Sequence, residues 1–352
     1  MKSFEKKYLK SIRIDNDLLK VVREIGQFRG KEDLFKQQSP QTLDTLIQNA
    51  IIQSTESSNR IEGIEVESPA RLKLLMNKKS LPKTRPEQEI AGYRDVLNLI
   101  HHSHDEMFLN SNLALQLHRD LFKFSSMRGG SWKKTDNDIV EVKLNGEKII
   151  RFKPTPAWQT EDAMNSLNSL YRESMIGEHS LEPLLAIANY VLDFLCIHPF
   201  TDGNGRMARL LTLLLLYKNG YQVGRFISLE RVIEDTKETY YEALHRSSQG
   251  WHEGKHDIRP WWNYFLGVVI RTAYREFEDR VGQVETARGA KGALVIAAIE
   301  RLPLKFTVAQ LIEKCPTVGI DYIRKVLGQH RLNGKIKSTG RGPDAAWIKV
   351  EK

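Results

Sequence analysis

Residues 198–209 read HPFTDGNGRMAR, and residues 210–217 continue LLTLLLLY. The first run carries a histidine, a carboxylate, an asparagine between two glycines and two arginines. The second is almost wholly apolar. On its other side the motif is preceded by LLAIANYVLDFLCI (184–197), which is apolar nearly all round. A helix of that composition sits at the centre of a bundle. Polar residues mounted between two central helices imply a site rather than a solvent loop.

The residue types suggest what such a site would hold. Gly203, Asn204 and Gly205 stand where a loop enters a helix, so the backbone can approach an anion closely and the free amides of the first turn point outward. The helix dipole adds to the attraction, giving a phosphate cradle. Arg206 and Arg209 lie three apart, share a helix face, and match phosphate oxygens with planar forks. Asp202 would be unfavourable beside an anion unless it held a metal ion, and magnesium with phosphate is the usual pairing. His198 supplies a group titrating near neutrality that can accept a proton from a hydroxyl.

Helical periodicity extends over Leu43–Ile61, Glu87–His101, Asn112–Phe124, Thr160–Ser174, Leu181–Ile197, Gly205–Tyr217 and Trp261–Phe277. NDIVEVKLNGEKIIRFKPTP (137–156) instead alternates apolar and polar residues on both sides of Asn145-Gly146, predicting one β-hairpin over 139–152. Charge and glycine around 283–292 predict a linker. After it, three helices and a terminal hairpin with a Gly-Arg-Gly-Pro tip resemble a winged helix-turn-helix, with Tyr322, Arg324, Lys325 and Gln329 on its recognition helix. The expected fold is mainly α: a helical region over 1–85, a helical core with its hairpin over 86–282, and the winged-helix-like domain over 292–352.

The chain has 352 residues and a net charge of +9. From Lys291 onward, 12 Lys and Arg face 5 Asp and Glu; the preceding residues carry 41 against 39. A basic partner surface therefore belongs to the last segment, for DNA or for protein contact. No apolar run is long enough for a membrane span and no signal peptide is visible, so no membrane partner and a cytoplasmic location are expected. Cys196 and Cys315 are expected to be free, buried thiols.

HPFTDGNGRMAR is similar at every fixed position to the motif of the Fic family, and HRDLF, the hairpin, YYEAL and DIRPWWNYF extend the resemblance over about Pro40–Phe277. It implies an enzyme that transfers AMP from ATP to a Ser, Thr or Tyr hydroxyl of a protein target, and to itself. By that resemblance His198 is the base, Asp202 holds Mg2+ against the α- and β-phosphates, and Gly203–Gly205 form the cradle with Asn204 near the α-phosphate. Arg206 and Arg209 would grip the β- and γ-phosphates, and Tyr240 would face the nucleoside. The hairpin would clamp the target as an added strand through Ile139, Val140, Val142, Ile149 and Ile150. SSNRIEGI (57–64) resembles the family's inhibitory motif, so Ser58 and Glu62 would form a brake in which Glu62 pairs with Arg209. A homodimer is left open. The alternatives are a DNA-binding regulator whose core senses nucleotide and, remotely, a zinc hydrolase built on HEGKH (252–256), a pattern that needs a helix where Gly250, Gly254 and Pro260 predict a loop. HHSHDE (101–106) reads as a polar helix end.

Overall fold

The structure is a computed structural model and describes residues 2–38, 40–142, 148–177, 180–286, 290–315, 318–340 and 346–350. The chain divides into two compact units, residues 1–29 with 46–275 and residues 30–45 with 276–352. The division falls elsewhere than at residue 85, so the SSNRIEGI stretch lies in the same unit as the 198–209 motif.

Helices α1 (Lys6–Ser11), α2 (Asn16–Gln38), α3 (Pro40–Ile61) and α4 (Pro69–Met76) open the chain. Next come α5 (Arg85–Ser103) and α6 (Ser111–Leu121), followed by the antiparallel hairpin β1 (Ile139–Val142) and β2 (Lys148–Phe152). Its Asn145-Gly146 turn lies outside the described residues. Then follow α7 (Thr160–Ser174), α8 (Pro183–Ile197), α9 (Asn204–Lys218), α10 (Leu229–Asp235), α11 (Lys237–Ser248) and α12 (Arg259–Tyr264). One wide helical turn at Phe265–Ile270 joins α12 to α13 (Arg271–Thr286), so the single helix expected over 261–277 is interrupted without being broken.

Helices α8 and α9 are buried on all sides, which is why their sequences lack a polar stripe. They pack on each other, α7 covers α8, and α5 lies against α9. The start of α5 is set by Thr84, whose side chain accepts from the Glu87 amide while Glu87 reaches back, a capping box. Gly92 lets α5 cross α6 closely: a Cβ there would collide with the Leu121 carbonyl oxygen.

In the second unit, α14 (Ala290–Arg301), α15 (Val308–Lys314) and α16 (Ile320–Leu332) accompany a three-stranded antiparallel sheet. Its strands β3 (Lys305–Thr307), β4 (Ile336–Ser338) and β5 (Ala346–Lys349) lie in the order β3-β5-β4. Val295, Ile299, Phe306, Leu311, Ile323, Leu327 and Ile336 form its core. The linker expected over 283–292 is helix at both ends, because α13 reaches Thr286 and α14 begins at Ala290; residues 287–289 lie outside the described residues.

Gly92→Ala is expected to destabilise the first unit by about 1–3 kcal/mol, because overpacking at the α5–α6 crossing exceeds the gain in helix propensity. Urea unfolding checks this, and an unchanged midpoint would show that the two helices have room to part.

Candidate active site

The connection from α8 to α9 is held by its own side chains. His198 ends α8 in the left-handed region at φ 51°, and Gly203 opens α9 at φ 78°. A Cβ on Gly203 would also meet the Phe122 ring at 3.0 Å, so glycine is required twice over. Asn204 turns inward: its Oδ1 accepts from Phe200 N at 2.9 Å and its Nδ2 donates to Phe200 O at 2.7 Å. It thus closes the loop instead of facing an incoming anion. His118 braces the other side, accepting from Gly130 N on Nδ1 at 2.9 Å and donating from Nε2 to Asp202 O at 3.1 Å. Its ring stacks on Phe200 at 3.7 Å.

Lys133 clasps the histidine. Its Nζ donates to Ile197 O at 3.1 Å and its backbone N to Pro199 O at 2.9 Å, one carbonyl on each side of His198. Burial pushes this amine down to about 8, with Asp136 opposing. Burial, with Lys133 adding, pushes the His198 imidazole down to about 4 against the pull of the Leu195 carbonyl, Glu62 and Asp202. Nδ1 lies 3.4 Å from Leu195 O, which favours the proton on Nδ1 and leaves Nε2 as the base.

The two arginines of the motif have different surroundings. Arg206 is 1% exposed and bonds Glu89 Oε2 at 2.6 Å, with Asp202 Oδ1 at 3.6 Å. Nη1 is thus taken by Glu89 while Nε is buried without a hydrogen-bond partner among the described residues, and Arg206 is not among the residues that line the cavity described below. Arg209 donates from Nε to Ser58 Oγ at 2.8 Å and from Nη2 to Ser58 O at 2.9 Å and Glu62 Oε1 at 2.7 Å. Burial alone would raise the Glu62 carboxyl, but Arg209, with Arg206 and Lys237, outweighs it and holds the group below its ordinary value.

Glu62 is aimed by the end of α3. Gly63 N donates to Arg60 O at 2.9 Å and Ile64 N to Asn59 O at 2.9 Å, with Gly63 at φ 76°, a Schellman stop that places Glu62 at the helix cap. Lys237 Nζ caps the same end through Ile61 O at 2.9 Å. The Glu62 oxygen rests where a Cβ on Gly205 would stand.

A cavity of about 740 Å³ opens beside these groups. His198, Gly205, Arg209, Glu62 and Tyr240 line it, with Ile139 and Val140 of β1 and Arg151 and Phe152 of β2. Tyr240 is buried against Trp261 and Tyr264, ring centroids 6.0 and 5.8 Å away, while its neighbour Tyr241 is exposed at the rim. Ile149 and Ile150 of the expected clamp are not among the lining residues, Ile150 being 49% exposed; of Val142 only the backbone is described. Asp202 is half open to solvent, and its Oδ2 lies 3.7 Å from the guanidinium of Arg85. Sequence patterning does not assign a bracing role to Lys133, Glu89, His118 or Lys237: two lysines, one acid and one histidine whose partners lie far away in sequence.

The remaining histidines fall elsewhere. HEGKH lies in turns beyond α11, where His252 faces Lys153 O at 2.7 Å and His256 stacks on Tyr8 at 4.3 Å. Among the described residues no group of three His, Cys, Asp or Glu could hold a metal ion by itself, so the zinc reading has no site. His101 and His104 are buried beside Tyr217 rather than forming a polar helix end, because the chain after α5 folds back under α9. Cys196 and Cys315 are free and buried, and no helix among the described residues is long and apolar enough to cross a membrane.

Residues 108–216 match the model of the Fic/DOC family. The chain is homologous to proteins named protein adenylyltransferase: 31% identity over 186 residues with "Protein adenylyltransferase fic-1" of Caenorhabditis briggsae, covering 52% of this chain and 33% of that protein. "Protein adenylyltransferase Fic" of Nematostella vectensis is 26% identical over 243 residues, covering 64% of this chain and 48% of that protein. The chain thus spans less than half the length of these curated relatives. In fold, a crystal structure of a Fic family protein from Desulfovibrio desulfuricans G20 superposes with a TM-score of 0.63 at 21% identity, covering 97% of this chain and 98% of that one. "Fic-1 (aa134 - 508) from C. elegans" gives a TM-score of 0.58 at 19% identity over 77% of this chain and 74% of that one.

His118 and His198 are held at about 4, His256 at about 4 and His101 at about 3, against 6.5 for free imidazole. Between those limits the unfolded chain binds protons that the folded one refuses. Stability is therefore full above pH 6.5 and falls as pH drops, by at most about 1.4 kcal/mol per pH unit for each histidine. Urea midpoints measured at about pH 7.5, 6 and 5 should decline in that order; a flat series would mean the rings accept protons while folded.

Proposed function

We propose that this chain is a protein adenylyltransferase that moves AMP from ATP to a hydroxyl of a protein target and of itself, and that Glu62 is its brake. The observation that carries the reading is the cavity in which a neutral imidazole, a glycine-opened helix start and a carboxylate-masked arginine meet. The target hydroxyl oxygen would attack the α-phosphorus, the bond to the β-phosphate oxygen would break, pyrophosphate would leave, and the hydroxyl proton would pass to His198 Nε2. Positioning and charge neutralisation supply most of the rate in such transfers. Arg209 and the first-turn amides of α9 would take the triphosphate once Glu62 has left. Arg206, paired with Glu89 through Nη1, would add positive potential around Asp202 and the phosphates. Tyr240 would wall the nucleoside side, and the hairpin would pair with the target.

Magnesium suits Asp202: a half-exposed carboxylate with only long contacts to arginine fits an ion that takes its other ligands from phosphate and water. When bound, the ion would neutralise charge on the phosphates.

Arg324 and Lys325 are exposed on α16, with Lys335 and Lys337 beside β4, whereas Tyr322 packs toward the core of its unit. We read this second unit as a winged helix with a basic face, for DNA or a protein partner. Duplex binding that weakens steeply with salt would support the DNA reading, and none at low salt would remove it.

Glu62→Gly should raise transfer from α-labelled ATP at least several-fold, because the Arg209 guanidinium is freed. Unchanged labelling would rule out the brake. His198→Ala should reduce transfer by about 10²-fold or more while ATP still binds; lost binding would make His198 structural.

A further inference from the structure

The segment that opens the chain is seated in the core of the first unit through one residue. Ser3 is 0% exposed and engages all its polar atoms. Its N and Oγ donate to Asp193 Oδ2 at 3.3 Å and Oδ1 at 2.6 Å, and its carbonyl accepts from Asn189 Nδ2 at 2.9 Å. Because the single Oγ proton goes to Asp193, His256 Nε2, 3.0 Å away, must be the donor to Oγ. Phe4 and Tyr8 are buried on the same side, and Tyr8 OH bonds His256 O at 3.0 Å.

Asp193 lies within α8, and its Oδ1 also accepts from Trp251 Nε1 at 2.5 Å. Trp251 meets Phe152 edge-on at 6.4 Å and His252 at 5.0 Å. His252 in turn stacks on Phe152 at 5.6 Å, with planes 9° apart, and donates to Lys153 O at 2.7 Å. Phe152 ends β2, pairs with Ile139 and lines the cavity. A contiguous set of contacts therefore runs from Ser3 through Asp193, Trp251 and His252 to the foot of the hairpin. None of these residues lies in the 198–209 motif, and none bonds Arg209 or Glu62.

We infer that the segment Lys2–Ser11 is a strap that fixes the foot of the hairpin, with Ser3 and Asp193 as positioning residues for the protein target rather than for the nucleotide. The part concerning the target rests on the adenylyltransferase reading; the part concerning the hairpin does not. Ser3→Ala leaves Asp193 short of one donor and His256 of its acceptor, so the Trp251 indole loses part of its anchor.

The test uses the full chain with Ser3→Ala, Ser3→Thr and, as a second route, Trp251→Phe, which removes the indole donor to Asp193 together with part of the ring packed near Phe152 and His252. Amide hydrogen exchange at residues 149–153 is measured well below each variant's Tm, ATP affinity by calorimetry, and KM for target in the Glu62→Gly background. In Ser3→Ala and Trp251→Phe, exchange at the hairpin foot should quicken about tenfold. KM for target should rise while ATP affinity stays within about twofold, and Ser3→Thr should restore both. Unchanged exchange in a folded Ser3→Ala, or ATP affinity falling in parallel, overturns the strap. If the parent protein transfers no AMP at all, the adenylyltransferase reading fails, and the exchange measurements still decide the strap.

Discussion

Two guanidinium groups are buried in the first turns of α9, and much of the first unit is arranged to make that tolerable. A buried cation without a partner is strongly unfavourable, so each needs a carboxylate from another helix. Glu89 on α5 serves Arg206 and Glu62 at the end of α3 serves Arg209. The demand fixes where α5 and α3 can lie against α9. The two pairs are not equivalent. Arg206 and Glu89 are 1% and 2% exposed, with no room for a substitute, whereas the Glu62 side chain is 32% exposed at the edge of a cavity. The first pair is closed off from solvent, whereas both members of the second line the cavity.

The connection between α8 and α9 makes that difference usable. His198 and Gly203 both hold left-handed backbone, which persists only where the surroundings over-determine it. Here Asn204, His118 and Lys133 do so through five of the loop's backbone groups. The imidazole is consequently presented in one orientation and in its uncharged form. Strain and burial at His198 are thus offset by polar side chains whose other ends lie on α6 and on the segment before the hairpin.

Much of this was legible because the motif interrupts two apolar runs: polar residues between core helices stand out, and their spacing carries the family resemblance. The core helices and the presence of the hairpin followed from period and the Asn-Gly pair, whereas helices such as α2 and α11, and the register of the hairpin, did not. The bracing residues did not, since Lys133, His118 and Glu89 act through contacts far away in sequence, and a single polar residue in a periodic stretch does not announce whether it faces water or a buried partner. The same blindness made His101 and His104 look like a solvated helix end, although Tyr217 buries them. Arg206 shows the opposite limit. Its type and spacing match phosphate binding, and nothing in the pattern points to Glu89, which takes one nitrogen of its fork. Charge between α13 and α14 suggested a linker over 283–292, whereas α13 runs to Thr286 and α14 begins at Ala290.

Gly205 has no side chain, and the space so left is filled by the Glu62 oxygen. Gly205 also lines the cavity. If the site takes a nucleotide as proposed, a single small volume would be shared by a resident carboxylate and an incoming phosphate, and the two could not be there together. On that reading loading would have to follow vacating, and the affinity seen by a nucleotide would be diluted by the small share of molecules whose carboxylate has already swung away. The resting protein would look like a weak binder even if its cradle, once empty, were a strong one.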